Sequence, residues 1–266
     1  MIKFFKTNKI ITILFIGGII GVILLVIPKN KKERNFQRIN IESVVKVDAQ
    51  KELSDEEKLT ILLENNKNNI DFYSNTFQIS SEILTNKIKE NYLNLNLLDS
   101  ENNFDRILLD YLLILESDEK ELFDRTKMPC NYSKEYIVAL INYFSNLYDN
   151  VDYSIAAGIA QVESGFTAQY MLYNNNVFGG MAGGRLISYR NIEYGILNYI
   201  KLLSEGYFSK GLNTIESIGS VYNPTYNEYG VKVAKPSWVN NVTKASLEYL
   251  NREYVDINVL NSLKSY

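Results

Sequence analysis

Apolar residues recur at helical intervals along most of this chain, separated by short polar turns. LSDEEKLTILLENN opens with Ser54 and Glu57 at capping-box spacing and continues with Leu59, Leu62 and Leu63, the pattern of a helix with one buried face. NNFDRILLDYLLILES repeats it with Phe104, Ile107, Leu108, Tyr111 and Leu115, so residues 54–125 read as a small helical bundle or stalk. The turn residues of TKMPCNYS mark a boundary at residues 127 and 128. SKEYIVALINYFSNLYDN then gives an amphipathic helix with Ser133 as N-cap. Asp152 caps the next helix, Ile155, Ile159 and Val162 form its buried stripe, and Gly165 can close it in a left-handed cap. NIEYGILNYIKLLSEGYF supplies a third helix, and PSWVNNVTKASLEYLNR a fourth that starts at its proline. No run in this half alternates apolar and polar residues convincingly, so the expected fold is mainly α.

The first 30 residues break the pattern. MIKFFKTNK is basic, and IITILFIGGIIGVILLVI, Ile10 to Ile27, is eighteen uncharged residues, enough for a helix of ~27 Å that crosses a bilayer core. PKNKKERNF after it lacks a small-x-small cleavage pattern, which favours an uncleaved anchor over a secretory signal. Lys29, Lys31, Lys32, Arg34 and Arg38 outnumber Lys3, Lys6 and Lys9, and that count alone would keep the body of the protein cytoplasmic. The expected organisation is an anchor over residues 1–30, a charged tether and helical extension over 31–127, and a helical domain over 128–266.

Composition narrows the chemistry. An apolar content of 46% supports a packed core, and a net charge of -3 gives no basic face for nucleic acid. Histidine is absent, so imidazole catalysis and most zinc sites are excluded. No metal and no cofactor is expected. Cys130 is the sole cysteine, which rules out an intrachain disulfide and reads as a small buried hydrophobe.

One residue sits oddly in this helical scheme. Glu163 follows Ile159 by four positions, so it projects within about 40° of a buried side chain and faces the interior or a cleft. It also lies in the last helical turn, where the helix dipole and desolvation both disfavour a carboxylate. Both effects suit a general acid. An exposed helix-end glutamate with no role is the plainer reading of the pattern taken alone.

The segments around it carry a resemblance. IAAGIAQVESGF, NNNVFGG, YRNIEYGILNYI, GLNTIESIGSVYNP and PSWVNNV stand in this order between residues 132 and 250. Together they resemble the endo-β-N-acetylglucosaminidases of the lysozyme-like superfamily, which cleave peptidoglycan. The resemblance implies a lysozyme-like helical domain with Glu163 as catalytic acid. It also implies an asparagine-Phe-Gly turn lining the sugar cleft through Asn175, Asn176, Phe178 and Gly179, and Tyr222 across the cleft. Amides can donate to and accept from sugar hydroxyls, and glycine lets a chain approach the backbone. Tyr189, Tyr226 and Trp238 add flat faces for pyranose rings. A polar turn and ordinary aromatic packing are the structural alternatives.

The family pattern is incomplete at the second carboxylate. MAGGRLIS, where related enzymes often carry an acid, has none, and Glu193 in the first turn of its helix is the nearest substitute. Substrate assistance, in which the N-acetyl group of the sugar attacks the anomeric carbon, needs only one acid. The expected function is a membrane-anchored hydrolase cutting β-1,4 bonds after N-acetylglucosamine in peptidoglycan strands, its catalytic domain outside the cell membrane. That requirement overrides the lysine and arginine count. A lytic transglycosylase and a non-catalytic wall-binding or assembly module, with the helical extension meeting a protein partner, are the alternatives.

Overall fold

The computed structural model describes residues 12–16, 19–23, 53–91, 104–118 and 127–264. Contacts divide the chain into two units, Met1–Lys51 and Glu52–Tyr266. In the first, β1 (Thr12–Ile16) and β2 (Ile19–Ile23) pair antiparallel, from Thr12 opposite Ile23 to Ile16 opposite Ile19. This differs from the single helix expected over residues 10–27. Isoleucine, valine and threonine favour strands, and the sequence Gly17-Gly18 between two such runs is a hairpin signature that hydropathy alone does not register. No helix among the described residues is long and apolar enough to cross a membrane. The tether lies outside the described residues.

The second unit is mainly helical. Its elements are α1 (Asp55–Asn65), α2 (Lys67–Phe77), α3 (Ser81–Asn91), α4 (Phe104–Asp118), α5 (Lys134–Leu147), α6 (Tyr153–Ser164), α7 (Gln169–Tyr173), α8 (Ile192–Gly206), α9 (Ile215–Tyr222), α10 (Pro236–Leu247) and α11 (Ile257–Lys264). The expected caps form. Ser54 and Glu57 make a reciprocal capping box on α1, Ser133 accepts from the Tyr136 amide, and Asp152 accepts from the amides of Ser154 and Ile155. Gly165 ends α6 at a φ of 57°, and Pro236 opens α10. Two short ribbons were not legible as strands: β3 (Met181–Ala182) with β4 (Arg185–Leu186), and β5 (Pro224–Tyr226) with β6 (Lys232–Ala234). Strands of two or three residues are too short for alternation to show.

The core is organised around α5, whose residues from Tyr136 to Ser145 are all buried. A helix buried all round runs through the middle of its domain rather than over its surface. α6, α8 and α11 pack on it. Asn142 of α5 ties down the C-terminal segment, donating to the Glu253 carbonyl at 3.2 Å and accepting from the Val255 amide at 2.9 Å. α10 lies antiparallel against α6, with Tyr153 beside Tyr249 and Gly158 beside Ser246. A Cβ at Gly158 would fall 2.2 Å from the Ser246 hydroxyl and 2.9 Å from its backbone nitrogen, so only glycine permits this crossing.

The boundary expected at residues 127 and 128 is not a packing boundary. Arg190 donates to the Phe77 carbonyl at 3.0 Å, and the Asn191 amide donates to the carbonyl of Thr76. The hydroxyls of Tyr73 and Tyr143 meet at 2.6 Å, and Tyr143 also donates to Asp105 at 3.1 Å. Lys201 pairs with Asp110 at 2.6 Å. Burial holds the Asp105 carboxyl above the usual carboxylate range, partly countered by hydrogen bonds from Asn69 and Tyr143. The helical extension is therefore part of the same core and not a stalk. A chain beginning at Met128 would lose these hydrogen bonds and bare to water the core face that Tyr73, Phe77 and Leu108 cover. It is expected to melt well below a chain beginning at Glu52, as followed by circular dichroism; coincident melting curves would show the extension to be dispensable.

Candidate active site

α6 carries Glu163 to its C-terminal turn, where the side chain is half-buried. α10 runs back along it and delivers Trp238, whose indole N–H donates to Glu163 Oε1 at 2.9 Å. Burial raises the carboxyl above the ordinary carboxylate range, and the Trp238 hydrogen bond offsets part of that rise. Oε1 is committed as an acceptor to a group that can only donate. In the protonated acid, the proton therefore sits on Oε2. That oxygen lies on the side of Gly179, where a Cβ would come within 3.3 Å of it.

Tyr222, at the end of α9, stacks on Trp238 with ring centroids 5.5 Å apart and planes 28° from parallel. Its hydroxyl donates to the Phe178 carbonyl. The Trp238 ring can reach this position because α9 has Gly219 facing it: a Cβ there would lie 2.8 Å from the ring and 2.7 Å from the Ala234 methyl. Burial first, and the negative charge of Glu163 second, push the Tyr222 hydroxyl well above its usual value. It is a neutral donor at physiological pH. Glu163, Trp238, Tyr222 and the Phe178–Gly179 backbone thus form one connected group.

Other residues expected at the site have different places. Asn175 and Asn176 are both 0% exposed and do not face a cleft. The Asn175 amide donates to the carbonyls of Met128, Tyr189 and Arg190. Asn176 donates to the carbonyls of Gly180 and Ile187 and accepts from the Gly180 amide at 3.2 Å. The two amides cross-link the turn that presents Gly179 to Glu163, alongside its backbone bonds from Asn175, Asn176 and Ile187. The Phe178 ring is buried against Tyr199, centroids 3.3 Å apart, and only its carbonyl serves the group. Trp238 is 4% exposed, so it supports the carboxyl and offers no face to a sugar.

Glu193 is 2% exposed, and its carboxylate accepts from Tyr136 at 2.9 Å and pairs with Lys264 at 3.0 Å. Both partners lie on α5 and α11, outside the Glu163 group. It is a core ion pair that fastens the last helix, not a second catalytic carboxylate. Tyr189 is half-buried, edge-on to Tyr194. Tyr226 lies on β5 and is 71% exposed. Tyr199, which sequence reasoning passed over, is buried with its hydroxyl raised by desolvation and by the charges of Tyr222 and Glu163. Its position on α8 matches the apolar stripe of that helix, so no sequence signal set it apart from ordinary core.

No family model, curated protein or solved structure matches the chain.

Two outcomes follow from this geometry. The Trp238 bond favours the ionised carboxyl, so Trp238→Phe should move the Glu163 titration to higher pH, read by carbon NMR of the labelled carboxyl; an unchanged or lower midpoint would contradict the assigned bond. Glu193→Gln should cost about 2 kcal/mol in thermal or denaturant unfolding, since a hydrogen-bonded charge partner is lost. The Glu163 titration should not move.

Proposed function

We propose that this protein is a glycoside hydrolase that cleaves β-1,4 bonds after N-acetylglucosamine in peptidoglycan strands, with Glu163 as general acid. One observation carries the reading: a half-buried carboxyl at a helix end, raised by desolvation, with one oxygen held by the Trp238 indole and the other on the side of Gly179. Desolvation moves it in the direction a general acid needs. The order of the motifs that resemble the glucosaminidases supports the same substrate class.

The second oxygen, Oε2, gives its proton to the glycosidic oxygen as the bond to the anomeric carbon breaks. With Glu193 committed to Lys264 and Tyr136, the attacking group is the carbonyl oxygen of the sugar's own N-acetyl group, which forms a bond to the anomeric carbon and gives a cyclic oxazolinium. The Glu163 carboxylate then takes a proton from water as the water adds to that carbon and the bond to the acetamido oxygen breaks, restoring the acid and the N-acetyl group and releasing a reducing sugar. Tyr222 can support the charge that develops only by turning its hydroxyl from the Phe178 carbonyl toward the substrate.

The engagement of Glu193 elsewhere also favours a second reading. A lytic transglycosylase likewise uses one acid, with a hydroxyl of the muramic sugar as the attacking group and an anhydro product in place of a reducing end. Membrane attachment follows from the apolar segment of residues 10–27. Peptidoglycan lies outside the cytoplasmic membrane, so the proposal includes an external catalytic unit.

The test is digestion of purified sacculi by the full chain in detergent, with products read by mass spectrometry. Reducing N-acetylglucosamine ends are expected; anhydro-muramic ends would select the transglycosylase. Glu163→Gln keeps the shape of the protonated acid without its proton and should lower the rate by about 10²- to 10⁴-fold. Wild-type digestion by that variant would remove Glu163 from the mechanism.

A further inference from the structure

The β5–β6 ribbon exposes two large aromatic side chains, Tyr226 at 71% and Tyr229 at 80%. A loose loop could display tyrosines by accident, but this ribbon is built. Asn227 accepts from the amides of Tyr229 and Val231 at 3.0 and 2.9 Å, and the Gly230 amide donates to the Asn227 carbonyl at 3.0 Å. Below the tip, Tyr226 pairs with Lys232, Thr225 with Val233 and Pro224 with Ala234. The backbone that carries both rings is fixed, so ordering them against a ligand costs little further entropy.

The ribbon is rooted in the Glu163 group. It begins two residues after Tyr222, and its last residue, Ala234, abuts Gly219, the same glycine that faces the Trp238 ring. Alternate pairs of a ribbon share a face. Tyr226 therefore stands on the ribbon face that carries Pro224, Lys232 and Ala234, the more exposed of the two. Val231, 55% exposed, extends the apolar surface at the tip. Exposed flat aromatic faces on a ribbon whose base abuts the Glu163 group suit a ligand with apolar ring faces and polar edges, which is a run of pyranose rings.

We infer that the β5–β6 ribbon is a binding wall for the glycan strand beyond the bond at Glu163, with Tyr226 and Tyr229 stacking on successive sugar rings, so that the site prefers polymer to short oligosaccharides. This rests on the glycoside reading of Glu163 for its substrate class. The two can fail separately, because binding is measured without turnover.

The full chain carrying Glu163→Gln is mixed with insoluble sacculi and its affinity measured by sedimentation. Adding Tyr226→Ala with Tyr229→Ala should weaken binding by about 10- to 100-fold, whereas the paired Phe replacements should stay within about threefold, since the ring supplies the contact. In the otherwise wild-type chain, the alanine pair should lower the ratio of polymer to tetrasaccharide kcat/KM by at least about 10-fold. Undiminished binding by the alanine pair, equal loss in the phenylalanine pair, or no affinity of the parent for sacculi would each overturn the inference. Tight ribbon-dependent binding by a wild-type chain that cleaves nothing would overturn the catalytic reading and leave the ribbon assignment standing.

Discussion

The close crossing of α6 and α10 is the constraint from which the candidate site follows. Gly158 has no room for a side chain against Ser246, and the two helices run antiparallel from the Tyr153–Tyr249 ring contact through that crossing to Glu163 and Trp238. Spacing the axes farther apart would draw the indole away from the carboxyl. Gly219 extends the same logic to α9, which can approach Trp238 closely enough for Tyr222 to stack on it. The environment of the carboxyl is thus fixed by backbone approach as much as by the side chains that touch it.

Buried amides complete the arrangement from the opposite side. Asn175 and Asn176 bridge the carbonyls of Met128, Arg190, Gly180 and Ile187, adding to the backbone bonds that already reach Arg190 and Gly180. Gly179 consequently meets Glu163 on a loop with little freedom. The extension plays a comparable part at greater distance, through the Tyr73–Tyr143 hydroxyls and the carbonyls that receive Arg190 and Asn191. Asn191 is also the N-cap of α8, so the start of that helix and the docking of the extension are set by one side chain.

Local features were legible because their causes are local. The caps at Ser54, Ser133 and Asp152, the left-handed Gly165, the proline at the head of α10 and the inward tilt of Glu163 all follow from residues within a few positions of one another. What was misjudged depended on distant partners. Nothing near Glu193 in sequence announces Lys264, and nothing near Trp238 says that its indole serves a carboxyl 75 positions earlier and not a sugar face. A polar NNN turn fits a cleft or a clamp equally well until the carbonyls around it are known. The extension read as a small helical bundle or stalk, because its apolar stripe reveals that it packs, but not on what.

The 75 positions between Glu163 and its indole donor also have a consequence in time. Chains emerge from the ribosome N-terminus first and compact progressively. A nascent chain presents Glu163 before α10 exists to shield it, and α11 with Lys264 arrives later still. Until the final helices dock, the carboxyl is an ordinary solvated side chain without a fixed orientation. The surroundings of Glu163 are therefore completed only once the last third of the chain has folded.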